Sequence, residues 1–259
     1  MRTYIVTGTD GFIGKRVADH LERFNHTIIR ITQEVGWDME LENNVKSCDG
    51  IFHIGAISDT TLQDANIMLY YNFTLSKRLF DLARKYDKRV VYSSSAANYG
   101  NGDGVPNNIY GWSKLLAEEY GLQACKKFVA LRYFNVYGPG EEHKGKMASV
   151  AYQAYKAGEF KLFPGDIKRD FVFIDDVIKA NLHAMTLDRG LFDVGTGTAE
   201  TFESLVDGVG IKYEYHSKDK IPKWYQYHTQ ADKGKFMPGW TPLYNVLKGT
   251  KVYRDYLDG

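Results

Sequence analysis

Short apolar, β-prone runs alternate along the chain with stretches whose apolar residues recur every three or four positions. Tyr4-Ile5-Val6-Thr7 is such a run and ends in glycine; Phe12, Ile13, Val17, Leu21 and Phe24 follow at helical spacing. Thr27–Ile31 predicts a second strand, residues 51–53 a third after Asp49-Gly50, residues 89–93 a fourth and Phe128–Tyr133 a fifth. Helices are expected over about 66–86 and 110–125 between them. Strand and helix in strict alternation predict a parallel sheet with helices on both faces, an α/β doubly wound architecture. The second half is less regular: helices are expected near 147–157 and 175–185, and a late strand of the same sheet over 191–194. Residues 210–240 hold Gly, Pro, Trp and Tyr with no clean period and read as part of a smaller lobe. The expected division is 1–133 with 172–195 and 243–259 in the sheet domain, and 134–171 with 196–242 in the lobe.

Composition narrows the class. A chain of 259 residues with 44% hydrophobic and 25% charged residues is an ordinary globular protein, one large domain or one with an appendage. Lys and Arg number 33 against 32 Asp and Glu, so no basic footprint for nucleic acid is expected. No apolar run reaches the ~20 residues of a membrane helix, and the first residues do not read as a secretory leader. Cys48 and Cys125 are too few for a disulfide framework or a structural zinc site, so a reduced, cytoplasmic location is expected. His143 beside Glu141 and Glu142 has no metal-ligand spacing, and no metal is expected. His53 reads as a packed strand-end histidine, and the Asn72-Phe73-Thr74 glycosylation pattern as accidental.

The first chemistry-bearing motif is Thr7-Gly8-Thr9-Asp10-Gly11-Phe12-Ile13-Gly14. Gly8 permits a tight turn, Gly11 lets backbone approach a pyrophosphate, and Gly14 lets helix and strand pack closely. The helix N-terminus then meets phosphate charge. The motif follows a strand and opens a helix, which favours dinucleotide binding on a Rossmann sheet over an ordinary strand-to-helix turn. The acidic residue that such sites place after the second strand for an NAD ribose is missing; Thr32 and Gln33 stand there, Glu34 comes two residues late, and Arg30 lies nearby. NADP and NAD both stay open, with NADP slightly favoured. Asp38 precedes the third strand, where an adenine contact is expected.

Tyr110 and Lys114 share a helix face, and an ammonium beside a phenol favours the phenolate, a base for a hydroxyl proton. Tyr152/Lys156 and Tyr244/Lys248 have the same spacing, so spacing alone says little. The first pair follows the fourth strand, whose end carries Ser93-Ser94-Ser95 and could present a hydroxyl to a substrate. A polar strand end beside a half-buried aromatic and a snorkelling lysine is the competing reading.

Taken together, these motifs resemble the extended short-chain dehydrogenase/reductase superfamily and its NAD-dependent epimerase/dehydratase family. Ser93 to Gly100 looks like the sugar-nucleotide epimerase branch, with Ala96-Ala97 where dehydratases carry Asp-Glu. His143-Lys144-Gly145-x-Met147-Ala148-Ser149-Val150, Lys161-Leu162-Phe163, Lys168-Arg169-Asp170-Phe171-Val172 and Tyr225-Gln226-x-x-Thr229-Gln230-Ala231-Asp232 narrow the resemblance to the ADP-L-glycero-D-manno-heptose 6-epimerases. The resemblance implies epimerisation through a transient 6-keto sugar with bound NAD(P), its product feeding a surface glycan such as lipopolysaccharide. It implies Tyr110 as first acid/base, Lys144 as second, Ser95 orienting the substrate hydroxyl, and Lys114 binding the nicotinamide ribose and lowering the Tyr110 pKa. Cofactor contacts would come from Phe12, Ile13, Ile54, Gly55, Ala56, Ser58, Asn72, Lys114, Val136 and Lys144. Substrate contacts would come from Ser95, Asn135, Lys146, Gln153, Phe163, Tyr225 and, on a phosphate, Arg169. Lys146, Gln153 and Pro164 depart from the family's small hydroxyl residue, histidine and glutamate. A UDP-hexose 4-epimerase and a non-catalytic dinucleotide-binding protein are the alternatives; homo-oligomers are common in the family.

Overall fold

The computed structural model of the protein describes residues 1–221 and 226–259. In chain order its elements are β1 (Thr3–Thr7), α1 (Phe12–Arg23), β2 (Thr27–Ile31), α2 (Glu40–Ser47), β3 (Gly50–His53), α3 (Ala65–Leu69), α4 (Leu75–Lys85), β4 (Val90–Ser95), α5 (Ile109–Ala124), β5 (Phe128–Tyr133), β6 (Asn135–Tyr137), α6 (Val150–Ala157), β7 (Glu159–Leu162), β8 (Lys168–Phe173), α7 (Ile174–Ala184), β9 (Arg189–Val194), β10 (Ala199–Thr201), α8 (Phe202–Gly208), β11 (Lys212–Tyr215) and α9 (Val246–Asp258). They form two compact units, Met1–Arg132 with Ile178–Phe192, and Tyr133–Val177 with Asp193–Gly259.

The first unit is built on a parallel six-stranded sheet in the order β2-β1-β3-β4-β5-β9. The chain leaves β1 through α1 to one side, then crosses back through α2 to the other. Right-handed crossovers in opposite directions put α1 and α2 on opposite faces, the doubly wound Rossmann-type arrangement. The order reverses between β1 and β3, and sheets of this kind hold ligands in a crevice outside the carboxyl ends of the strands at that point. β3 and β4 are buried at every position, which is why they read as unbroken apolar runs rather than as alternation. On the α2–α4–α5 face Ile5, Ile51, Val90, Tyr92 and Phe128 pack with Leu41, Leu79, Phe80 and Ala117.

In the second unit β8 pairs antiparallel with β10 and parallel with β6, and β7 pairs parallel with β11. A small core of Ala154, Leu162 and Val206 gathers Phe160, Phe202 and Tyr213 around it. Helix α9 packs on α8 and β8 inside this unit. Residues 243–259, expected in the sheet domain, thus cluster with the second unit; the apolar side of α9 (Val246, Thr250, Tyr253) closes on α8 and on Tyr137.

Two further differences have local causes. The long helix expected over 66–86 is broken by a π-helical turn, Tyr70–Thr74, which joins α3 to α4. The helix expected from 147 starts at Val150, because Gly145 takes a φ of 54° and Ser149 caps the helix at the Tyr152 N–H. Among the described residues no helix is long and apolar enough to cross a membrane, and no group of three or more His, Cys, Asp or Glu could hold a metal ion. Cys48 and Cys125 are free and buried.

Candidate active site

The glycine turn sits at the carboxyl end of β1. Gly8 has a φ of 70°, and a Cβ on it would lie 2.5 Å from Gly55 Cα. A Cβ on Gly14 would lie 2.1 Å from the Gly8 carbonyl oxygen, while one on Gly11 would lie 3.3 Å from it. Gly8 therefore lets the β1 and β3 ends touch, and Gly14 seats α1 on the turn. No side chain caps α1 at Gly11 and its first turn carries no carboxylate, so the positive end of its dipole is left for an outside anion. Phe12 is buried and Ile13 half-buried behind the turn; across from it Ile54 is buried, Gly55 half-buried, and Ala56 and Ser58 exposed. A small-residue cradle at an unneutralised helix N-terminus fits a dinucleotide pyrophosphate.

A buried chain of hydrogen bonds ties this cradle together. Thr7 Oγ1 accepts from the N–H groups of Ile54 (3.0 Å) and Gly55 (2.8 Å). Its own proton must then go to His53 Nδ1, 2.8 Å away. His53 is thereby the Nε2–H tautomer and donates to Ser76 Oγ (2.7 Å), which donates to the Asn72 carbonyl (2.7 Å). Burial, and secondarily the charge of Lys114, lower the His53 pKa to about 3, so the ring stays neutral. The Asn72 side chain, in the π-turn, exchanges hydrogen bonds with Ile57 N–H (2.8 Å) and C=O (2.9 Å) and donates to Ser113 Oγ (3.0 Å). Asn72 is 1% exposed, and through these bonds it holds the loop after β3. The same burial removes it as a glycosylation acceptor.

At the end of β4 Ser95 hydrogen-bonds Tyr110, and Lys114 follows one turn further along α5. Asn108 caps α5 by accepting from Gly111 N–H (2.8 Å), which sets Tyr110 in the first turn. Burial raises the Tyr110 pKa, opposed by a hydrogen bond with Ser95. Lys114 is 2% exposed, and its Nζ lies 4.3 Å over the centroid of the Tyr92 ring. Burial lowers its pKa to about 7, and Glu118 pulls the other way.

Glu118 and Arg132 were missed in the sequence reading. Glu118 is fully buried; it accepts from Ser94 Oγ (2.5 Å), Asn98 Nδ2 (3.2 Å) and Arg132 Nε (3.0 Å). The available signal was a carboxylate four residues beyond Lys114 and eight beyond Tyr110, on one helix face.

Other expected contacts fall as follows. Asp38 is exposed; its Oδ1 accepts from Glu40 N–H (3.0 Å), and Arg78 clamps the carbonyls of Trp37 and Asp38. Arg30, the cation nearest the β2 end in sequence, is spent on Asp19 and Glu22, each 2.8 Å from its Nη2. In the second unit Asn135 is exposed on β6 and Val136 half-buried beside it. Lys144 is half-buried in the 3₁₀ turn Glu142–Met147; burial lowers its pKa while Glu141 raises it. Lys146 is exposed, and Gln153 Nε2 donates to the carbonyls of Lys146 (3.2 Å) and Ala148 (2.7 Å), so its amide braces the loop. Phe163 packs against His216 with centroids 5.4 Å apart. Arg169 is buried, donating to the carbonyls of Lys168 (2.9 Å) and Gln226. Tyr225 lies outside the described residues.

Comparison with known proteins bears on this geometry. Residues 4–195 match the NAD dependent epimerase/dehydratase family. The chain is similar to the crystal structure of Helicobacter pylori ADP-L-glycero-D-manno-heptose-6-epimerase, with 28% identity and a TM-score of 0.86, covering 100% of this chain and 96% of that one. It is also similar to UDP-glucose 4-epimerase from Thermotoga maritima solved with UDP-glucose, with 25% identity, a TM-score of 0.84 and 99% and 98% coverage. The fold is shared with UDP-N-acetylglucosamine 4-epimerase from Methanobrevibacter ruminantium, at 23% identity, a TM-score of 0.84 and 98% and 99% coverage.

Proposed function

The chain belongs to the NAD dependent epimerase/dehydratase family, and from that premise we propose that it epimerises a nucleotide-activated sugar, with ADP-heptose at C6 as the substrate. The observation that supports this reading is the Ser95–Tyr110 hydrogen bond at the end of β4, with Lys114 buried one turn along α5, in the unit that holds the glycine turn. Ala96-Ala97 in place of an acidic pair speaks against dehydration, and the likeness to the H. pylori 6-epimerase favours C6.

Gly8, Gly11 and Gly14 with Phe12 and Ile13 would hold the cofactor pyrophosphate, and the 54–58 loop would lie along the rest of it. When bound, NAD(P) supplies a reversible hydride acceptor. Ser95 orients the sugar hydroxyl and Tyr110 takes its proton. Burial keeps Tyr110 protonated at rest, so phenolate formation depends on the Ser95 hydrogen bond and on the charged form of Lys114 one turn along. Lys144, carried by the second unit, is the second acid/base; burial lowers its pKa, which makes its neutral, proton-accepting form easier to reach. Asn135, Lys146, Gln153, Phe163, Arg169 and Tyr225 are assigned to the sugar and its phosphates. NADP is the favoured cofactor, since Thr32 and Gln33 stand where an NAD site places its carboxylate; Arg30 does not supply the counter-charge for a 2′-phosphate, being paired with Asp19 and Glu22. A cytoplasmic location, homo-oligomers and a product destined for a surface glycan belong to the same proposal.

The test is proton NMR of the protein with ADP-D-glycero-D-manno-heptose in one tube and UDP-galactose in another, each with NADP⁺ or NAD⁺. Conversion to the C6 epimer in the first tube alone is expected. Conversion only in the second overturns the substrate and favours a 4-epimerase, the reading supported by the T. maritima likeness. Loss of turnover in Lys144→Ala is expected of a two-base 6-epimerase; unchanged turnover removes Lys144 from the chemistry.

A further inference from the structure

We propose that the buried Glu118–Arg132 pair is a positioning device for this reaction, setting Ser95 against Tyr110 and placing a negative charge one helical turn from Lys114. The inference rests on Ser95, Tyr110 and Lys114 being the reacting groups.

One carboxylate on α5 gathers three further pieces of backbone. Glu118 sits on α5 with no exposed surface. Its Oε2 accepts from Ser94 Oγ (2.5 Å), next to Ser95 at the end of β4. It also accepts from Asn98 Nδ2 (3.2 Å), in the 3₁₀ turn Ala96–Tyr99 that Ser95 itself caps through Ala97 N–H (3.1 Å). Arg132, near the end of β5, closes the cluster with Nε on Oε2 (3.0 Å) and Nη2 on Oε1 (2.5 Å). Its guanidinium lies 4.5 Å over the centroid of the Tyr99 ring. Tyr110, Lys114 and Glu118 follow one another at one-turn intervals along α5, so the bond to Ser94 fixes how far α5 slides along β4. That offset sets the Ser95–Tyr110 contact.

Stability does not require such a pair. Two charges taken out of water lose most of what they gain from each other, and apolar residues of the same volume would fill the space as well. What apolar residues cannot do is present a negative charge one helical turn from Lys114. Among the described residues, the groups shown to act on Lys114 are the Tyr92 ring on β4, the neutral His53 on β3 and Glu118 on α5. Of these Glu118 alone is anionic, and it counters the burial that drives the lysine toward its neutral form.

The experiment uses the full chain and the variants Glu118→Gln and Ser94→Ala. The Lys114 signal is followed by ¹³C NMR of ε-labelled lysine across pH, assigned by its loss in Lys114→Met, and steady-state rates are measured with ADP-D-glycero-D-manno-heptose. Glu118→Gln keeps the shape, removes the charge and leaves Arg132 uncompensated. Its Lys114 midpoint should fall by about one pH unit. Its kcat should fall ~10- to 100-fold with KM within about threefold, as expected for groups misplaced by a fraction of an ångström. Ser94→Ala should lower kcat by about tenfold while the Lys114 midpoint stays in place. A Glu118→Gln protein with the wild-type midpoint and wild-type kcat overturns the proposal. If Glu118→Gln does not fold, Ser94→Ala decides, and a wild-type kcat there overturns the positioning role. If the wild-type protein turns over neither ADP-heptose nor UDP-galactose, the functional reading falls, and the Lys114 midpoint in Glu118→Gln still decides the role of the pair.

Discussion

Replacing Gly14 with alanine tests whether the α1 N-terminus is the phosphate site. The new Cβ would lie 2.1 Å from the Gly8 oxygen, 2.6 Å from its carbonyl carbon and 2.9 Å from the Thr7 oxygen. All three are backbone atoms, so no side chain can swing away. Relief requires α1 to move off the turn by about 1 Å, a strain that costs ~1–3 kcal/mol. The first-turn N–H groups would move with it, and each charge-assisted hydrogen bond lost to a pyrophosphate is worth ~1.5–3 kcal/mol, about 10- to 100-fold in Kd. Gly11→Ala is the matched control. Its Cβ meets the Gly8 oxygen at 3.3 Å, and the native φ of −94° and ψ of 171° suit alanine. It should shift stability by no more than ~0.5 kcal/mol, yet weaken binding, because the methyl stands where the pyrophosphate must approach. Isothermal titration with NADP⁺ and NAD⁺ reads the affinity, and thermal melts without cofactor read the strain. Wild-type affinity in both variants would refute the phosphate assignment. Equal destabilisation by the two alanines would refute the packing argument.

Tyr110→Phe keeps the ring and deletes the acid, so kcat should drop by ~10²–10⁴-fold with an unchanged melting temperature. Lys114 titrates near 7 in the folded protein against 10.5 as its ordinary value, so the unfolded chain binds the extra proton between those limits. Stability should therefore rise with pH from about 7 to about 10.5, by ~5 kcal/mol at most, relative to a Lys114→Met protein melted in the same buffers; a flat difference would refute the buried environment. His53→Phe leaves the Thr7 hydroxyl without its acceptor and should cost ~1–3 kcal/mol. Because folding lowers the His53 pKa from 6.5 to about 3, the wild type should also lose stability more steeply than this variant as pH falls through that range. Burial pushes the Cys48 and Cys125 thiols up to about 11, so neither should react with a disulfide reagent at pH 8 until the chain is unfolded; prompt native labelling would contradict their placement.

The parts of the fold legible in the sequence are those where burial is local. β1, β3, β4 and β5 carry their cores in consecutive residues, and the glycines at 8, 11 and 14 mark a turn that only a close strand–helix approach requires. Helix α2 was not legible, because only Leu41 and Val45 of its eight residues are buried. Helix α9 hid for a related reason: its buried side includes Gly249 and Thr250, which do not read as apolar. The π-turn at Tyr70–Thr74 has no periodic signature at all; it shows itself only in where it aims Asn72. At the site, the Tyr110/Lys114 spacing gained meaning only from its place after β4. The side chains that hold it there could not be read, since their partners lie far away in sequence: Thr7 with His53 is a separation of 46 residues, and Ser94 with Glu118 one of 24.

That blind spot has a physical pattern. Among the buried acids, three gather donors around irregular backbone. Glu118 holds the β4 end beside Ser95. Glu141 accepts from Gly138 N–H (3.2 Å), Ser149 N–H (2.6 Å) and Ser149 Oγ (2.6 Å), closing the loop that carries Lys144. Asp170 accepts from the N–H groups of Thr196 (2.6 Å), Gly197 (2.8 Å) and Ala231 (3.0 Å), joining two segments of the second unit to β8. A carboxylate is suited to this work because two oxygens can take three or more N–H and O–H donors at once, whereas leaving those donors buried and unmet would cost ~1–3 kcal/mol each. In the sequence these acids look like solvated surface charge. A buried carboxylate that collects several N–H and O–H donors at once is therefore a marker of where a fold holds irregular backbone still, and Glu118 and Glu141 stand beside residues assigned to the reaction.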